Sequence, residues 1–378
     1  MALIELPQRN LPACGPFEVQ ISGPDRLAAV EWPTIDDSRD LRMYVFQSRD
    51  FLQVWLDTIG RAAHIDGYLV IVKDGEGKPV LFLPLAIETK FNTRLLRFMD
   101  SGVADYNAPI LVPGLCLSRP AFHALWSEIL ALLPAVDAID LKKIAAHVCG
   151  MRNPFTYLDC APGAEDGHWL PLAVLHSEVD ARRSVVTLRR NLRRFSRGLA
   201  RVGPMQFTAN PTGASATPIV DRLLELKRQR YIRSNVADFL AQPGVENFYR
   251  AMTAPSRLGR ISHLCALTAG GSVASAHLGF IGRGRFYYIF PAYDTAFQRY
   301  RPGHLLLQHL IDRCCDEALI DFDLGVGDFV YKNAWATQRL QLFSYERAVT
   351  ATGRIYLQMR RVRRLVQCAT RPWLRTGN

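Results

Sequence analysis

At 378 residues the chain exceeds the usual size of one domain, and we predict two domains of roughly 170 to 200 residues each. Hydrophobic residues make up 49% of the chain and aromatic residues 10%, enough to fill two ordinary cores, which excludes a disordered or fibrous protein. The formal net charge of +11 is concentrated in two arginine-rich segments, and the rest of the chain is close to neutral.

The first basic segment lies near the middle of the chain and the second at its end. The first contains Arg182, Arg183, Arg189, Arg190, Arg193, Arg194, Arg197 and Arg201. The second contains Arg354, Arg360, Arg361, Arg363, Arg364, Arg371 and Arg375. A polyanion, either a tRNA or an anionic membrane surface, would bind through these segments. The alternative is that both are solvated faces of helices that dock on the fold.

The eight cysteines form no CxxC pair and have no regular spacing. We therefore expect reduced core residues and no metal site. A glutamate and prolines interrupt the first twenty residues where a signal peptide needs an apolar stretch, and no window reaches the roughly 18 apolar residues of a membrane span. The expected location is cytoplasmic, with peripheral contact at the inner face of the membrane left open.

The first half predicts a helix, a hairpin, a second helix and a strand. Hydrophobic periodicity and turn residues place these elements at 51–63, 68–73 with 80–87, 121–133 and 138–141. Prolines and glycines then interrupt regular structure between 159 and 177. We predict domains at 1–165 and 175–350, followed by a basic amphipathic tail at 351–378.

The second half begins with a helix over the first basic segment. Its apolar seam consists of Val185, Leu188, Leu192, Phe195 and Leu199. A strand, two helices, a strand and a hairpin follow at 205–209, 216–233, 246–253, 261–268 and 273–291. A helix after Gly303, a strand at 320–324, a short helix near Tyr331 and a strand at 340–345 complete the order.

Four motifs occur in this half, in the order Ala292-Tyr293-Asp294, Arg301-Pro302-Gly303, Asp321-Phe322-Asp323-Leu324-Gly325 and Tyr331-Lys332-Asn333-Ala334-Trp335. With their surrounding elements they resemble the CelD-type acetyltransferases, a branch of the GNAT superfamily related to the FemAB peptidoglycan transferases. The resemblance covers roughly residues 177–348 and, by element order alone, the first half. It implies an α/β fold of two tandem GNAT-like domains, each a mixed, mostly antiparallel sheet flanked by helices, with the first domain degenerate.

The resemblance also implies acetyl-CoA or another acyl-CoA as co-substrate, without a metal. A glycine at a helix start lets backbone N–H groups approach phosphate oxygens, so Gly303 is expected to hold the pyrophosphate. The other predicted cofactor contacts are Arg301, His304, Leu305, Phe290 and Leu324, the last two beside the pantetheine arm. The alternative is an ordinary helix start with arginines in solvent.

Acyl transfer to an amine requires a base for the amine and an acid for the leaving thiolate. By its place in the resembled domain, Tyr331 is the candidate acid. Strand alternation places Asp321 and Asp323 on one face, and two carboxylates are costly to bury unless paired or catalytic, so Asp323 is the preferred base and Asp328 the second. His277 is a further candidate. The alternatives are a packed tyrosine, acids paired with basic side chains and a satisfied core histidine.

The acceptor pocket is predicted to include Tyr288, Tyr293, Asp294, Lys332 and Trp335. The sequence favours an acyl-CoA-dependent N-acyltransferase acting on a small amine or sugar, which the resemblance associates with envelope or exopolysaccharide production. One alternative is FemAB-like transfer from an aminoacyl-tRNA, and the other is a non-catalytic double-GNAT binding module. The identity of the acceptor, the acyl chain length and the oligomeric state are left open.

Overall fold

The structure, a computed structural model, describes residues 16–27, 29–36, 41–176, 181–211 and 213–369. In the basic segments, Arg371 and Arg375 lie outside the described residues. Four further arginines are described only as helical backbone, namely Arg182, Arg183, Arg189 and Arg364. No helix in these ranges is both long and apolar enough to cross a membrane.

The strands are β1 (Glu18–Ser22), β2 (Asp66–Lys73), β3 (Pro79–Lys90), β4 (Thr93–Phe98), β5 (Ile110–Leu111), β6 (Ala138–Ala145), β7 (His147–Val148), β8 (Met151–Arg152), β9 (Ala161–Pro162), β10 (Gly167–Pro171), β11 (Met205–Ala209), β12 (Ser262–Ala269), β13 (Ser272–Gly282), β14 (Arg285–Tyr293), β15 (Asp321–Val326), β16 (Gln338–Leu340) and β17 (Leu342–Ala348). The helices are α1 (Pro24–Leu27), α2 (Arg49–Trp55), α3 (Arg61–Ala63), α4 (Arg119–Leu132), α5 (Ala181–Ala200), α6 (Ala216–Arg233), α7 (Val245–Met252), α8 (Pro302–Asp316), α9 (Val330–Trp335) and α10 (Ala351–Ala369).

Two mixed sheets form the two halves of the fold. The first has eight strands in the order β1-β2-β3-β4-β6-β17-β9, with β5 beside β3, and is antiparallel except between β4 and β6. The second has seven in the order β11-β12-β13-β14-β15-β10-β16 and is antiparallel except between β14 and β15. The crossover between that parallel pair contains α8, as parallel pairing requires.

Each sheet takes a strand from the other half of the chain. β10, which precedes α5, lies between β15 and β16, and β17 lies between β6 and β9. The predicted final strand at 340–345 is therefore wrong as a single strand, because β16 ends at Leu340 in the second sheet and β17 begins at Leu342 in the first. Each sheet contains a strand from the other half of the chain, so the predicted boundaries at 165, 175 and 350 do not assign one complete sheet to each domain. These boundaries stay predictions about folding units.

The second sheet is covered on both faces. On one face α6 and α7 pack in a large apolar cluster that is continuous with the first domain and includes Leu223, Phe248, Phe280 and Tyr287. On the other face α5 and α8 pack in a second cluster that includes Leu199, Leu306, Leu310 and Phe322. Buried apolar area of this extent is the main favourable contribution to folding.

The predicted seam of α5 is confirmed where its side chains are described. Leu192 and Leu199 are buried and Phe195 is partly buried against the second cluster. The arginines of this part are exposed, namely Arg190, Arg193, Arg194, Arg197 and Arg201. The apolar face of α5 is thus docked, and its basic face lies in solvent.

The prediction for the cysteines is correct only in part. All six cysteines that the structure describes in full are free thiols, and Cys265 and Cys314 are buried as expected. Cys116 and Cys149 are exposed, so the prediction of core positions is wrong for them. Cys14 lies outside the described residues.

Candidate active site

β14 and β15 separate after a short parallel pairing. They pair over three residues, from Arg285 to Tyr287 in β14, and both strands continue beyond this point. A bulge contributes to the separation, because the step from Tyr287 to Phe290 in β14 stands opposite the shorter step from Phe280 to Leu278 in β13. The result is an opening between two neighbouring strands in the middle of the sheet.

At the end of β15 two backbone amides donate to carboxylates. Gly325 N donates to Asp323 Oδ1 at 2.8 Å, and Val326 N donates to Asp105 Oδ2 at 2.9 Å. Gly325 has a φ of 75°, and a Cβ at this position would overlap Asp105 Oδ2. A glycine is therefore needed both for the turn of the chain and for the approach of Asp105 from the first domain.

α8 begins beside the last residue of β14. Arg301, with a left-handed φ of 50°, and Pro302 precede Gly303. The amides of His304 and Leu305 donate to the Arg301 carbonyl, at 3.0 and 3.2 Å, whereas no described residue accepts from the Gly303 N–H. A Cβ at Gly303 would meet only Tyr293 Cδ1, at 3.6 Å, so there is room for a further group beside the Gly303 Cα, and the residue is half-buried.

Asp323, the preferred base, lies in a buried network away from solvent. Its Oδ1 accepts hydrogen bonds from Tyr106 Oη at 2.8 Å and Gly325 N, and its Oδ2 pairs with Arg285 at 3.3 Å. Burial raises the pKa of Asp323 to about 6 against the opposing effects of Arg285 and the two hydrogen bonds. Asp321 pairs with the same arginine at 2.8 Å, which confirms that the two acids share a face. Because both oxygens of Asp323 are engaged, the paired alternative fits this residue better than a catalytic base.

Asp328 and His277 are also engaged in contacts of their own. Asp328 accepts from His168 at 3.0 Å and from Arg339 at 2.7 Å, beside β10 and β16 and not at the opening. His277 is fully buried, its Nε2 accepts from Ile289 N at 3.2 Å, and its ring stacks on Tyr288 at 4.3 Å. Burial lowers the pKa of His277 well below its ordinary value, so it is a neutral core group that satisfies the amide of the bulge.

Tyr331 lies beside the start of α8. Its ring is 6.2 Å from that of His304 and 6.1 Å from that of Phe329. Burial raises the pKa of Tyr331, and this effect outweighs the opposing charge of Arg230, so the phenol stays protonated at neutral pH. A protonated hydroxyl near the helix start is the state that the predicted acid requires.

Of the other predicted contacts, some are buried in the core and one is engaged in local contacts. Leu305, Leu324 and Trp335 are buried in the second cluster. Asp294 caps the short helix before α8, where it accepts from Ala296 N at 2.8 Å, and it pairs with Arg222 at 2.6 Å, so its carboxylate is engaged locally.

Phe290 lies on the face that α6 and α7 cover. Its ring stacks on Tyr249 of α7 at 4.0 Å between centroids, and the Lys227 Nζ of α6 lies 4.3 Å from its centroid on the ring. Lys332 is buried and donates to the Val326 carbonyl at 2.6 Å. These contacts bring α6, α7, α9 and the end of β15 together on one side of the opening.

The sequence reasoning did not identify Lys227. Val220, Leu223 and Leu224 form the apolar stripe of α6, and Lys227 occupies the next position of that stripe. A lysine at a core-facing position of an amphipathic helix was the signal that could have identified it.

Asp105 was also missed. It belongs to a loop of the first domain, its Oδ2 accepts from Val326 N, and its charge opposes the fall in the pKa of Lys332 that burial causes. The charge of Asp105 also raises the pKa of Tyr331, although burial and the charge of Arg230 have larger effects. No local pattern in the sequence marks it, because only the tertiary fold brings it to β15.

Two further findings concern other kinds of site. Within the described ranges no group of three histidine, cysteine or acidic side chains is placed to hold a metal ion. A separate open depression of about 420 Å³ lies in the first domain, lined in part by Pro24, Asp57, His64 and Asp66. None of the residues discussed above lines it.

Residues 187–333 match the acetyltransferase (GNAT) domain family. The matched segment runs from α5 into α9 and so contains the separated strands and the start of α8.

Three solved structures resemble most of the chain. FemX aligns over 80% of this chain and 92% of its own, with 11% identity and a TM-score of 0.53. The C-terminal domain of a putative lysylphosphatidylglycerol synthetase from Agrobacterium fabrum aligns over 82% and 93%, with 10% identity and a TM-score of 0.50. A tandem GNAT protein from the clavulanic acid biosynthesis pathway aligns over 87% and 98%, with 12% identity and a TM-score of 0.43. No curated protein matches the sequence.

At these identities the likenesses to FemX and to the synthetase domain show the fold alone. The predicted α/β class, with mixed, mostly antiparallel sheets flanked by helices, is confirmed. The division into two tandem GNAT-like domains stays a prediction. The narrower resemblance to the CelD branch stays a prediction.

We predict that Gly325→Ala destabilises the protein more than a glycine substitution with the same backbone conformation. The control is Gly77→Ala, whose φ is 77° and whose Cβ would meet nothing within 4 Å. Strain alone costs about 1 kcal/mol at either position. Gly325→Ala is expected to cost about 2 kcal/mol more, because Asp105 must move and the Val326 amide loses its acceptor. Urea unfolding of both variants measures the difference, and equal losses would contradict the assigned contact.

Proposed function

We propose that the protein is an acyl-CoA-dependent N-acyltransferase. The observation that supports this most is the opening between β14 and β15 in the segment that matches the GNAT family, with the glycine at the start of α8 beside it. The acceptor is proposed to be an amine, either a small amine or the amino sugar of an envelope or exopolysaccharide precursor as the CelD resemblance implies. The bound thioester supplies an activated acyl group.

The residues at the start of α8 fit the phosphates of such a donor. The Gly303 N–H has no described acceptor, and the helix dipole favours an anion at this end. Arg301 is exposed next to it, with its guanidinium 4.9 Å from the ring centroid of Phe195. The pantetheine arm would run along the opening and replace the β-ladder contacts that the two strands do not make with each other.

Tyr331 and Asp105 are proposed as the acid and the base. Tyr331 is protonated, lies beside His304 in the first turn of α8, and would give its proton to the departing sulfur. Asp105 uses one oxygen for Val326 N and would take the proton of the amine with the other, directly or through water. Asp323, Asp328 and His277 have no part in this scheme. Both oxygens of Asp323 are engaged, Asp328 pairs with His168 and Arg339 beside β10 and β16, and His277 is a buried neutral group that accepts from Ile289 N.

A second candidate is transfer from an aminoacyl-tRNA. The exposed arginines of α5 favour it, because α5 packs against α8 and the short helix before it, and Phe195 of α5 contacts Arg301. These cations would meet the phosphates of a tRNA whose acceptor end enters the opening. The affinity for a tRNA falls steeply as the salt concentration rises. The affinity for acetyl-CoA depends much less on salt.

Replacing Gly303 by glutamate is expected to weaken the binding of acetyl-CoA. The new carboxylate would lie where the phosphates bind and would repel them, which lowers affinity by at least about tenfold. Gly75→Glu is the matched control, since Gly75 lies in the β2–β3 turn with nothing within 4 Å of a Cβ. Isothermal titration calorimetry with acetyl-CoA measures both. Equal affinity in the two variants would remove Gly303 from the cofactor site, and tight, salt-sensitive tRNA binding without acetyl-CoA binding would favour the second candidate.

Replacing Tyr331 by phenylalanine is expected to lower kcat by roughly 10² to 10⁴, the usual contribution of general acid catalysis. The affinity for acetyl-CoA is expected to change little, because the ring contacts with His304 and Phe329 remain. Steady-state kinetics together with calorimetry separates the two quantities. Tyr157→Phe in the first domain is the control, and an unchanged kcat in Tyr331→Phe would exclude this tyrosine as the acid.

α10 is proposed to contact an anionic membrane surface. It docks on the first sheet through Tyr356, Leu357 and Arg360, the last paired with Asp140 and Glu346. Ile355, Met359 and Val362 are 55%, 60% and 59% exposed, and at roughly 100° per residue they form one stripe on the far side of the helix. Exposed arginines flank that stripe, namely Arg354, Arg361 and Arg363. An apolar stripe between basic side chains is typical of helices that lie at a membrane surface.

The triple change of Ile355, Met359 and Val362 to serine is expected to reduce binding to phosphatidylglycerol vesicles by at least about tenfold, since roughly 1 to 2 kcal/mol is lost for each apolar side chain. Phe91→Ser is the control, because Phe91 is also exposed but lies on the β3–β4 turn. Vesicle flotation at low and high salt measures binding. Flotation of wild type equal to that of the triple variant would refute the proposed surface.

A further inference from the structure

Lys227 is a buried cation without an anionic partner. Its side chain is 7% exposed, and its ammonium lies on the ring of Phe290 with a distance of 4.3 Å to the centroid. In the part of the chain that the structure describes, no carboxylate lies within 4 Å of it. Other basic residues of the same helix differ, since Arg222 pairs with Glu225 and Asp294, and Arg228 pairs with Glu246.

Two more cations face Lys227. Arg230 lies one helical turn further along α6 and Lys332 comes from α9, and both act on Lys227, whose pKa is lowered to about 7 mainly by burial. Arg230 and Lys332 lie 5.7 and 5.4 Å from the ring centroid of Phe329, and neither is in an ion pair within the described residues. Three positive side chains from two helices therefore lie near one another. The rings of Phe290 and Phe329 and the Val326 carbonyl contact them, and the carboxylates whose charges act on this group, those of Asp105, Asp323, Glu165 and Asp328, act on Lys332.

Such an arrangement is unfavourable in the absence of a ligand. Burying an unpaired ammonium costs free energy, and like charges nearby add to that cost. Lys227 occupies a position in the buried stripe of α6 where methionine or leucine would avoid this cost. A ligand with an oxyanion would supply the missing charge and hydrogen-bond acceptors.

We propose that Lys227 and Arg230 bind an oxyanion of the acceptor, so that the acceptor is an amine that also carries a carboxylate or a phosphate group. This inference rests on the proposed N-acyltransferase function. The arrangement of charges is consistent with it, because Asp105 acts on Tyr331 and Lys332 at the end of β15 whereas Lys227 lies on the ring of Phe290 in β14. The amine of the acceptor would face Asp105, and its oxyanion would face Lys227 and Arg230.

The first experiment needs no acyl transfer. Thermal unfolding of wild type, Lys227→Met and Arg233→Met is followed in sodium phosphate, sodium acetate and sodium chloride at equal ionic strength. Arg233 is an exposed arginine of the same helix, so its variant matches the loss of charge. We expect phosphate or acetate to raise the midpoint of wild type and Arg233→Met above that in chloride, and to have no such effect on Lys227→Met. Identical responses of all three proteins would overturn the proposal.

The second experiment compares matched acceptors with acetyl-CoA as donor. The pairs are phosphoethanolamine with ethanolamine, glucosamine 6-phosphate with glucosamine, and β-alanine with its amide, which distinguishes phosphate from carboxylate. Wild type is expected to prefer the anionic member of at least one pair by tenfold or more in kcat/KM. Lys227→Met should raise KM for that member by at least tenfold and leave the neutral member unchanged.

The outcomes separate this inference from the function on which it rests. If acetyl-CoA binds and neutral amines are acylated as well as anionic ones, the oxyanion site is refuted and the N-acyltransferase stands. If Lys227→Met lowers kcat equally for both members of a pair, Lys227 acts on the reacting amine and the proposal is also overturned. Arg230→Gln provides a second variant should Lys227→Met fold poorly, and it is expected to shift KM in the same direction. Absence of acetyl-CoA binding, with anion stabilisation retained, would instead refute the proposed function.

Discussion

The separation of β14 from β15 is the constraint on which the rest of the site depends. Two parallel strands in a sheet normally satisfy each other's backbone groups, so an opening between them leaves polar groups that need other partners. Here the amides beside the opening have side-chain acceptors. The imidazole of His277 accepts from the bulge in β14, and the carboxylates of Asp323 and Asp105 accept from the end of β15. Two residues that the sequence favoured as catalytic, His277 and Asp323, therefore maintain the opening in which the proposed chemistry occurs.

Two buried charged residues of this protein, Asp323 and Lys227, differ in whether the protein supplies partners for their charge. Asp323 has a full set of donors from Tyr106, Gly325 and Arg285, and such a network holds one domain against the other. Lys227 has an aromatic ring and two like charges. A shifted pKa alone does not separate these cases, because burial shifts both groups. What separates them is whether the protein itself supplies the counter-charge, and a cation left unmatched costs stability that a ligand can restore.

Much of the fold followed from the sequence because local pattern and tertiary structure agree in the second half. The apolar seam of α5 and the hairpin at 273–291 each reflect a periodicity or a turn chemistry that neighbouring residues specify. The exchanged strands β10 and β17 were not predictable in this way, because a strand of five or seven residues carries no record of which sheet it joins. The sequence analysis missed Asp105 for the same reason, since its position in the site depends on a contact with a residue more than two hundred positions away.

In the proposed scheme, Asp105 also gives the first domain a part in the reaction. Through Asp105 and Tyr106 that domain supplies a carboxylate at the end of β15 and a hydroxyl inside the buried network. The exchanged strands then fix the distance between the sheets, since neither domain can move without breaking a ladder of the other. A site that uses side chains from both domains needs such rigidity, because acid and base must keep their separation to well under an ångström for transfer to be efficient. In the proposed scheme, the two domains therefore build one active site together, and neither is idle.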